Sequence, residues 1–302
     1  MEDLQNGIIV IDKPPKISSA GVVAVVKRAL RAKKVGHAGT LDPFATGILV
    51  CLLNRATRLA QFLVAGKKTY EAELYLGVET DTEDLTGRVV KQTSVDGITE
   101  RTIYREAGRW VGEMAQQPPV YSALKHEGRP LYELARKGLA VKKPPRTVTI
   151  SALDILDIRL PKVTFRVTCS QGTYIRTLGA DIGRALGCGG HLTALRRTVS
   201  SGFSLKDAVA LPALEATGDD GIASRHIRPM ASAMADTPFL EADEELVAQI
   251  RHGKPILKTD HGRTAAGDGG PIRVLTKDHR LVAVLLDTAG TDHFQYGCVL
   301  TG

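Results

Sequence analysis

The chain has 302 residues, enough for one catalytic core and a small accessory unit, since single cores stop growing near ~250–300 residues. Its 43% hydrophobic and 24% charged residues mark an ordinary globular protein, and no apolar run approaches the ~18 residues that span a bilayer, so a membrane protein is not expected. The net charge is +7, yet residues 236–302 carry 7 Lys and Arg against 10 Asp and Glu; the basic surface therefore belongs to residues 1–235 and suits a polyanion such as RNA.

In chain order, MEDLQNGIIVIDKPP lacks the basic start and long apolar stretch of a secretory signal, so a cytoplasmic protein is expected. Within it GIIVIDKP reads as a strand closed by a Pro turn, and AGVVAVVKRAL (20–30) has the apolar spacing of a helix. A Gly-rich loop follows, carrying GHAGTLDPFATG (36–47). Next, ILVCLL (48–53) reads as a buried strand, RATRLAQFLVAG (55–66) as a helix ending at Gly66, and TYEAELYLGV (69–78) as a strand with alternating faces. Residues 101–114 read as another helix, QQPPVY (116–121) as an extended loop, and PLYELARKG (130–138) as a short helix capped by Gly138. The clearest pattern is VTFRVTCSQGTYIRTLGADIGRALG (163–187): a strand, a turn at Gln171-Gly172, then a helix with Ile175, Leu178, Ile182 and Leu186 on one face. Tyr174 and Arg176 then fall in its first turn.

Residues 213–236, rich in Ala, Gly and Asp, read as a transition. Beyond it, PIRVLT, RLVAVLLD and QYGCVL, separated by Gly and Asp turns, suggest a small β barrel. The interleaved strands and helices indicate an α+β protein with helices packed on a mixed sheet. Cys51, Cys169, Cys188 and Cys298 stand singly, without the spacing of a metal site, and read as small buried hydrophobes.

Asp42 precedes Pro43, which pushes it toward extended geometry, and Gly36 and Gly39 allow a tight loop and close approach of a ligand. Taken alone, L-D-P is an ordinary turn or helix-capping sequence. The longer segment GHAGTLDPFATGIL, however, closely resembles the catalytic motif of TruB-type pseudouridine synthases. The resemblance continues through GIIVIDKPPKISS (7–19), KKTYEAELYLGVETDTEDLTG (67–87), QQPPVYSALKHEGRPLYELARKG (116–138) and CSQGTYIRTLGADIGRALGCGGHLTALRRTVSSGF (169–203), in that family's order and at compatible spacing. It is weak in the C-terminal segment.

The resemblance implies a pseudouridine synthase fold over residues 1–230, a mixed and largely antiparallel sheet with flanking helices around a central cleft. A small PUA-like RNA-binding β domain would follow over residues 236–302. It implies isomerisation of uridine 55 in the T loop of tRNA by a monomer that binds the T-arm stem-loop, recognises its shape and flips the target base out. The reaction breaks the N1–C1′ bond, turns the uracil and joins carbon 5 to C1′. Being redox-neutral, it calls for charge stabilisation and a nucleophile or base, with neither a metal nor an organic cofactor.

By the same resemblance Asp42 is the essential carboxylate, and attack on C1′, addition to the base and elimination through C2′ all remain open to it. Arg176, in GTYIR, would pair with Asp42 and keep it ionised, since an opposite charge within ~4–6 Å favours the carboxylate. Tyr70 would pack its ring on the uracil or use its hydroxyl in proton transfer. Tyr174 would line the pocket and Leu195 would supply an apolar wall. His37, read as a loop residue, would enter the RNA loop vacated by the flipped base.

Lys13, Lys67, Lys125, Arg129, Arg136, Arg146, Arg196 and Arg197 are candidate phosphate contacts that would make binding salt-dependent. Residues 124–147 hold seven Lys and Arg against two Glu, as a flexible basic segment closing over a stem-loop would. The acidic run TDTED (80–84) lacks the spacing of a calcium loop and reads as solvated structure. Two departures from the family pattern fall near the N-terminus, where Lys16 replaces a usual Gly and Ser18 a Thr. Two other readings keep the same cleft: a non-catalytic RNA-binding or tRNA-folding protein, and a synthase that works with a guide RNA.

Overall fold

The computed structural model describes residues 6–216, 223–259 and 270–301. Residues 1–5, on which the reading of the N-terminus partly rests, and residues 217–222 of the expected transition lie outside the described residues. Its first elements are β1 (Gly7–Lys13), α1 (Ser19–Ala29), β2 (Val35–His37) and β3 (Thr46–Leu53). Successive side chains of a strand point to opposite faces. Ile9, Ile11, Leu49, Cys51 and Leu53 accordingly meet Val22 and Val26 of α1 on one side. Ile8, Val10, Ile48, Val50 and Leu52 pack with Leu59 and Leu63 on the other. Covered on both faces, β1 and β3 have no need of polar alternation, which is why their sequences are nearly continuous apolar runs.

The main sheet runs in the order Val209–Ala210, β1, β3, Gly190–Ser200, β4 (Lys68–Leu76), Lys162–Cys169, Arg146–Arg159, Gly112–Gln116. β3 is parallel to Gly190–Ser200, and β1 to Val209–Ala210; the other neighbours along this path are antiparallel. This is the mixed, largely antiparallel sheet with flanking helices of an α+β protein. β4 alternates as its sequence indicates, with Tyr70, Ala72, Leu74 and Leu76 buried. Gly47, the second residue of β3, stands at φ +97°, where an added Cβ would lie 2.2 Å from the Arg197 carbonyl oxygen. Only glycine permits that approach.

Three expectations need correction. The segment 55–66 is not one α-helix: a tight 3-10 turn over Asn54–Leu59 leads into α2 (Ala60–Ala65), which does end at Gly66. The helix expected over 101–114 stops early, as α3 (Glu100–Gly108), and Gly112–Gln116 forms a strand on Arg146–Arg159. The exposure of 112–116 alternates with period two, but the sequence GEMAQ carries no matching apolar alternation. His37 is the last residue of β2, paired with Cys51, rather than a loop residue. α4 (Leu131–Arg136) and α5 (Ile175–Ala185) lie where the sequence places them, with Gly138 at φ +79° after α4 and Tyr174 as the residue preceding α5.

Beyond residue 236 the described strands form a five-stranded sheet. Its Leu275, Leu281, Val284 and Leu300 join Leu59, Leu63, Ile8 and Val50 in one hydrophobic core. Among the described residues no helix is long and apolar enough to cross a membrane.

Candidate active site

The loop between β2 and β3 carries Asp42 to the wall of a cavity of about 830 Å³. α1, the acidic segment 81–88, residues 121–123 and α4 supply the rest of the lining, and Arg176 rises into it from α5. The Arg176 side chain is only 3% exposed, whereas that of Asp42 is 35% exposed. Arg176 Nε donates to Asp42 Oδ2 at 2.8 Å and Nη2 to Oδ1 at 3.4 Å. The remaining guanidinium donors reach the Thr82 carbonyl at 2.7 Å and the Tyr121 carbonyl at 2.8 Å. A buried guanidinium with every edge engaged is a fixed object. It holds one carboxylate edge and leaves the rest of Asp42 facing the cavity.

Asp84 is a second anion beside Arg176, with Oδ2 3.6 Å from Nε. Residues 80–84 are therefore not simply solvated: Asp84 is 4% exposed and accepts hydrogen bonds from the Thr82 and Thr86 hydroxyls and the Thr86 amide. The signal missed in the sequence is the pair of threonines two residues to either side of Asp84, ready to neutralise a buried carboxylate.

Tyr70 and Leu195 lie behind the Asp42 loop, packed in one core cluster with Leu41 and Ala45. Tyr70 is 8% exposed, and burial pushes its phenol above the usual range, with the Arg197 guanidinium opposing that shift. Tyr174 is half-buried beneath Arg146, whose guanidinium lies 4.9 Å from the ring centroid and also donates to the Gly172 carbonyl. His37 lines the cavity. Its Nδ1 and the hydroxyl of Ser122, another lining residue, are buried with no hydrogen-bond partner among the described residues. Burial, then the nearby Arg197, lowers the His37 pKa.

The basic candidates divide. Lys67, Lys125, Arg129 and Arg136 are exposed, with Arg136 on the cavity rim. Arg196 is paired with Asp12 at 2.7 Å. Lys13 and Arg197 are not surface cations: they are 0% and 1% exposed. Lys13 Nζ donates to the carbonyls of Pro14, Ile17 and Pro43, and burial lowers its pKa to about 8. Arg197 donates to the carbonyls of Ile48, Gly39 and Thr40. Both stitch the Asp42 loop to its surroundings instead of facing a phosphate. Lys16 sits at φ +67°, the left-handed region a glycine enters most easily, and its amide donates to the Pro43 carbonyl at 2.7 Å.

The fold, a mixed sheet with flanking helices around a central cleft, is that of pseudouridine synthases. The solved structure of a Cbf5–Nop10–Gar1 complex contains a chain that superposes with a TM-score of 0.77 at 28% identity, over 99% of this chain and 86% of that one. A structure of an H/ACA RNP bound to a substrate RNA gives 0.75 at 27% identity, over 100% and 87%. Within the class, residues 27–175 match the TruB family pseudouridylate synthase N-terminal domain, and residues 176–235 the tRNA pseudouridylate synthase B C-terminal domain. The chain is 44% identical to tRNA pseudouridine synthase B of Burkholderia mallei (strain NCTC 10247) over 286 residues, 94% of each chain. It is also 44% identical to that of Syntrophotalea carbinolica over 250 residues, 83% of this chain and 81% of the other. The chain belongs to the TruB family.

Proposed function

We propose that this enzyme isomerises uridine to pseudouridine in tRNA, with Asp42 as the initiating carboxylate and uridine 55 of the T loop as its target. The observation that carries this reading is the Asp42–Arg176 contact at 2.8 Å on the wall of a cavity large enough for a flipped nucleotide. Arg176 keeps Asp42 oriented and available as an anion while the N1–C1′ bond breaks. The uracil then turns, carbon 5 joins C1′, the proton on carbon 5 leaves and N1 gains one. Tyr70, a phenol held protonated by burial, serves as a wall and hydrogen-bond donor beneath the base and not as the base catalyst. Leu195 backs the Asp42 loop from the core, and Tyr174 lies beneath Arg146 at the start of α5. His37 and Ser122 line the cavity and meet the extruded nucleotide or its loop. Lys67, Lys125, Arg129 and Arg136 contact phosphates of the T arm, and residues 236–302 act as an accessory RNA-binding unit on a catalytic unit of residues 1–230.

Purified protein incubated with a T-arm stem-loop tritiated on carbon 5 of its uridines should release tritium, and Asp42→Asn should release none. No release by the wild type from several tRNAs would overturn the proposal. The likeness to H/ACA structures makes a guide-dependent synthase the second reading; release from naked tRNA, with no guide present, decides against it.

A further inference from the structure

Asp42 and Arg176 lie 134 residues apart in sequence, so their contact exists only because two backbone segments are held in register. Each segment is gripped by a buried side chain, one at the edge of the cavity (Ser19) and one outside its lining (Gln116). Ser19, 3% exposed, accepts a hydrogen bond from the Leu41 amide at 2.8 Å and donates to the Leu41 carbonyl at 3.0 Å. That carbonyl belongs to the peptide unit leading into Asp42. α1 does not need the Ser19 hydroxyl, because Ser18 caps the helix by accepting from the Gly21 amide at 3.0 Å.

Gln116, 4% exposed, makes the corresponding pair of bonds at Tyr174. Its Oε1 accepts from the Tyr174 amide at 2.8 Å and its Nε2 donates to the Tyr174 carbonyl at 3.0 Å. Tyr174 leads into α5 with no side-chain cap of its own, and Arg176 is the second residue of that helix. Each clasp bonds both polar groups of one residue, in the buried interior at Leu41 and in a half-buried place at Tyr174.

We propose that Ser19 and Gln116 are positioning residues for the Asp42–Arg176 pair, each fixing one partner through the main chain beside it. The inference rests on Asp42 being the initiating carboxylate. Misplacing a reacting group by about 1 Å costs about 100-fold in rate. Loss of either clasp therefore lowers the chemical step while the surface that meets RNA is unchanged.

The test compares Ser19→Ala, Gln116→Met and the double variant with the conservative Ser19→Thr and Gln116→Glu. Single-turnover tritium release at saturating enzyme, the tRNA dissociation constant and the thermal midpoint are measured for each. Ser19→Ala and Gln116→Met should each lose about 10- to 100-fold in rate, with affinity within about threefold of wild type. Ser19→Thr should recover the rate, and Gln116→Glu, which keeps the acceptor for the Tyr174 amide, should recover part of it. The double variant should lose less than the product of the single losses, because both clasps act through one ion pair. A folded single variant within about twofold of wild type, losses that multiply, or affinity falling in step with rate would each overturn the proposal. Should Gln116→Met fail to fold, Ser19→Ala against Ser19→Thr carries the same comparison. Wild type inactive on tRNA would instead overturn the functional reading, whereas an inactive Asp42→Asn beside a fully active Ser19→Ala removes only the positioning role.

Discussion

Arg176 meets two carboxylates and two carbonyls in a space almost closed to water, so its substitution acts on both chemistry and stability. Arg176→Met should lower the single-turnover rate by about 100- to 1,000-fold, the range seen when one preorganised charge-stabilising donor is removed. The tRNA affinity should change by less than about threefold, and undiminished turnover would refute the pairing. The same variant leaves Asp84 buried without its cation, so its thermal midpoint should also fall. Lys13 and Lys68 give a pH signature. Burial lowers each from 10.5 to about 8 in the folded protein, so between these values the unfolded chain binds more protons and stability rises with pH. Lys13→Met should remove its share of that rise, at most about 1.4 kcal/mol per pH unit. Urea unfolding of both proteins at about pH 8 and pH 9.5 checks it, and parallel slopes would exclude the effect.

At the scale of elements, α5 is placed by two glycines one turn apart. A Cβ on Gly183 would lie 2.5 Å from the main chain of Gly189, whereas one on Gly179 would meet the flexible end of Leu192 at 2.7 Å. Backbone cannot yield as a leucine methyl can. Gly183→Ala should therefore destabilise the protein by about 2 kcal/mol or more and lower activity by shifting Arg176, while Gly179→Ala costs about 1 kcal/mol or less. Thermal melts and single-turnover rates of the two variants test the contrast. The helix itself was legible from Ile175, Leu178 and Ile182, all of which are buried. The strand at 112–116 was not, because five residues hold too few alternations to announce a period, and it is fixed by pairing with Arg146–Arg159.

At the scale of the whole molecule, the C-terminal sheet shares a core with the synthase sheet, through Leu275, Leu281 and Val284 against Leu59 and Leu63. Leu281→Ala should cost about 2–4 kcal/mol by cavity formation and lower the stability of the entire chain. Calorimetry should show one transition moved downward; two transitions, of which only one moves, would mean the sheets fold independently. The sequence by itself determined the mixed α+β layout and the strand–turn–helix around Arg176, and it singled out Asp42 as the candidate carboxylate, because apolar periodicity, glycine turns and an unbroken local motif are properties of neighbouring residues. Only the tertiary structure decided that Lys13 and Arg197 are interior, that Asp84 belongs beside Arg176, and that Ser19 and Gln116 grip the two halves of the pair. A basic residue reads alike in sequence whether it faces a phosphate or a ring of carbonyls, and burial and long-range contact settle which. Asp42 remains the proposed carboxylate, and what the fold added is the buried arginine that holds it.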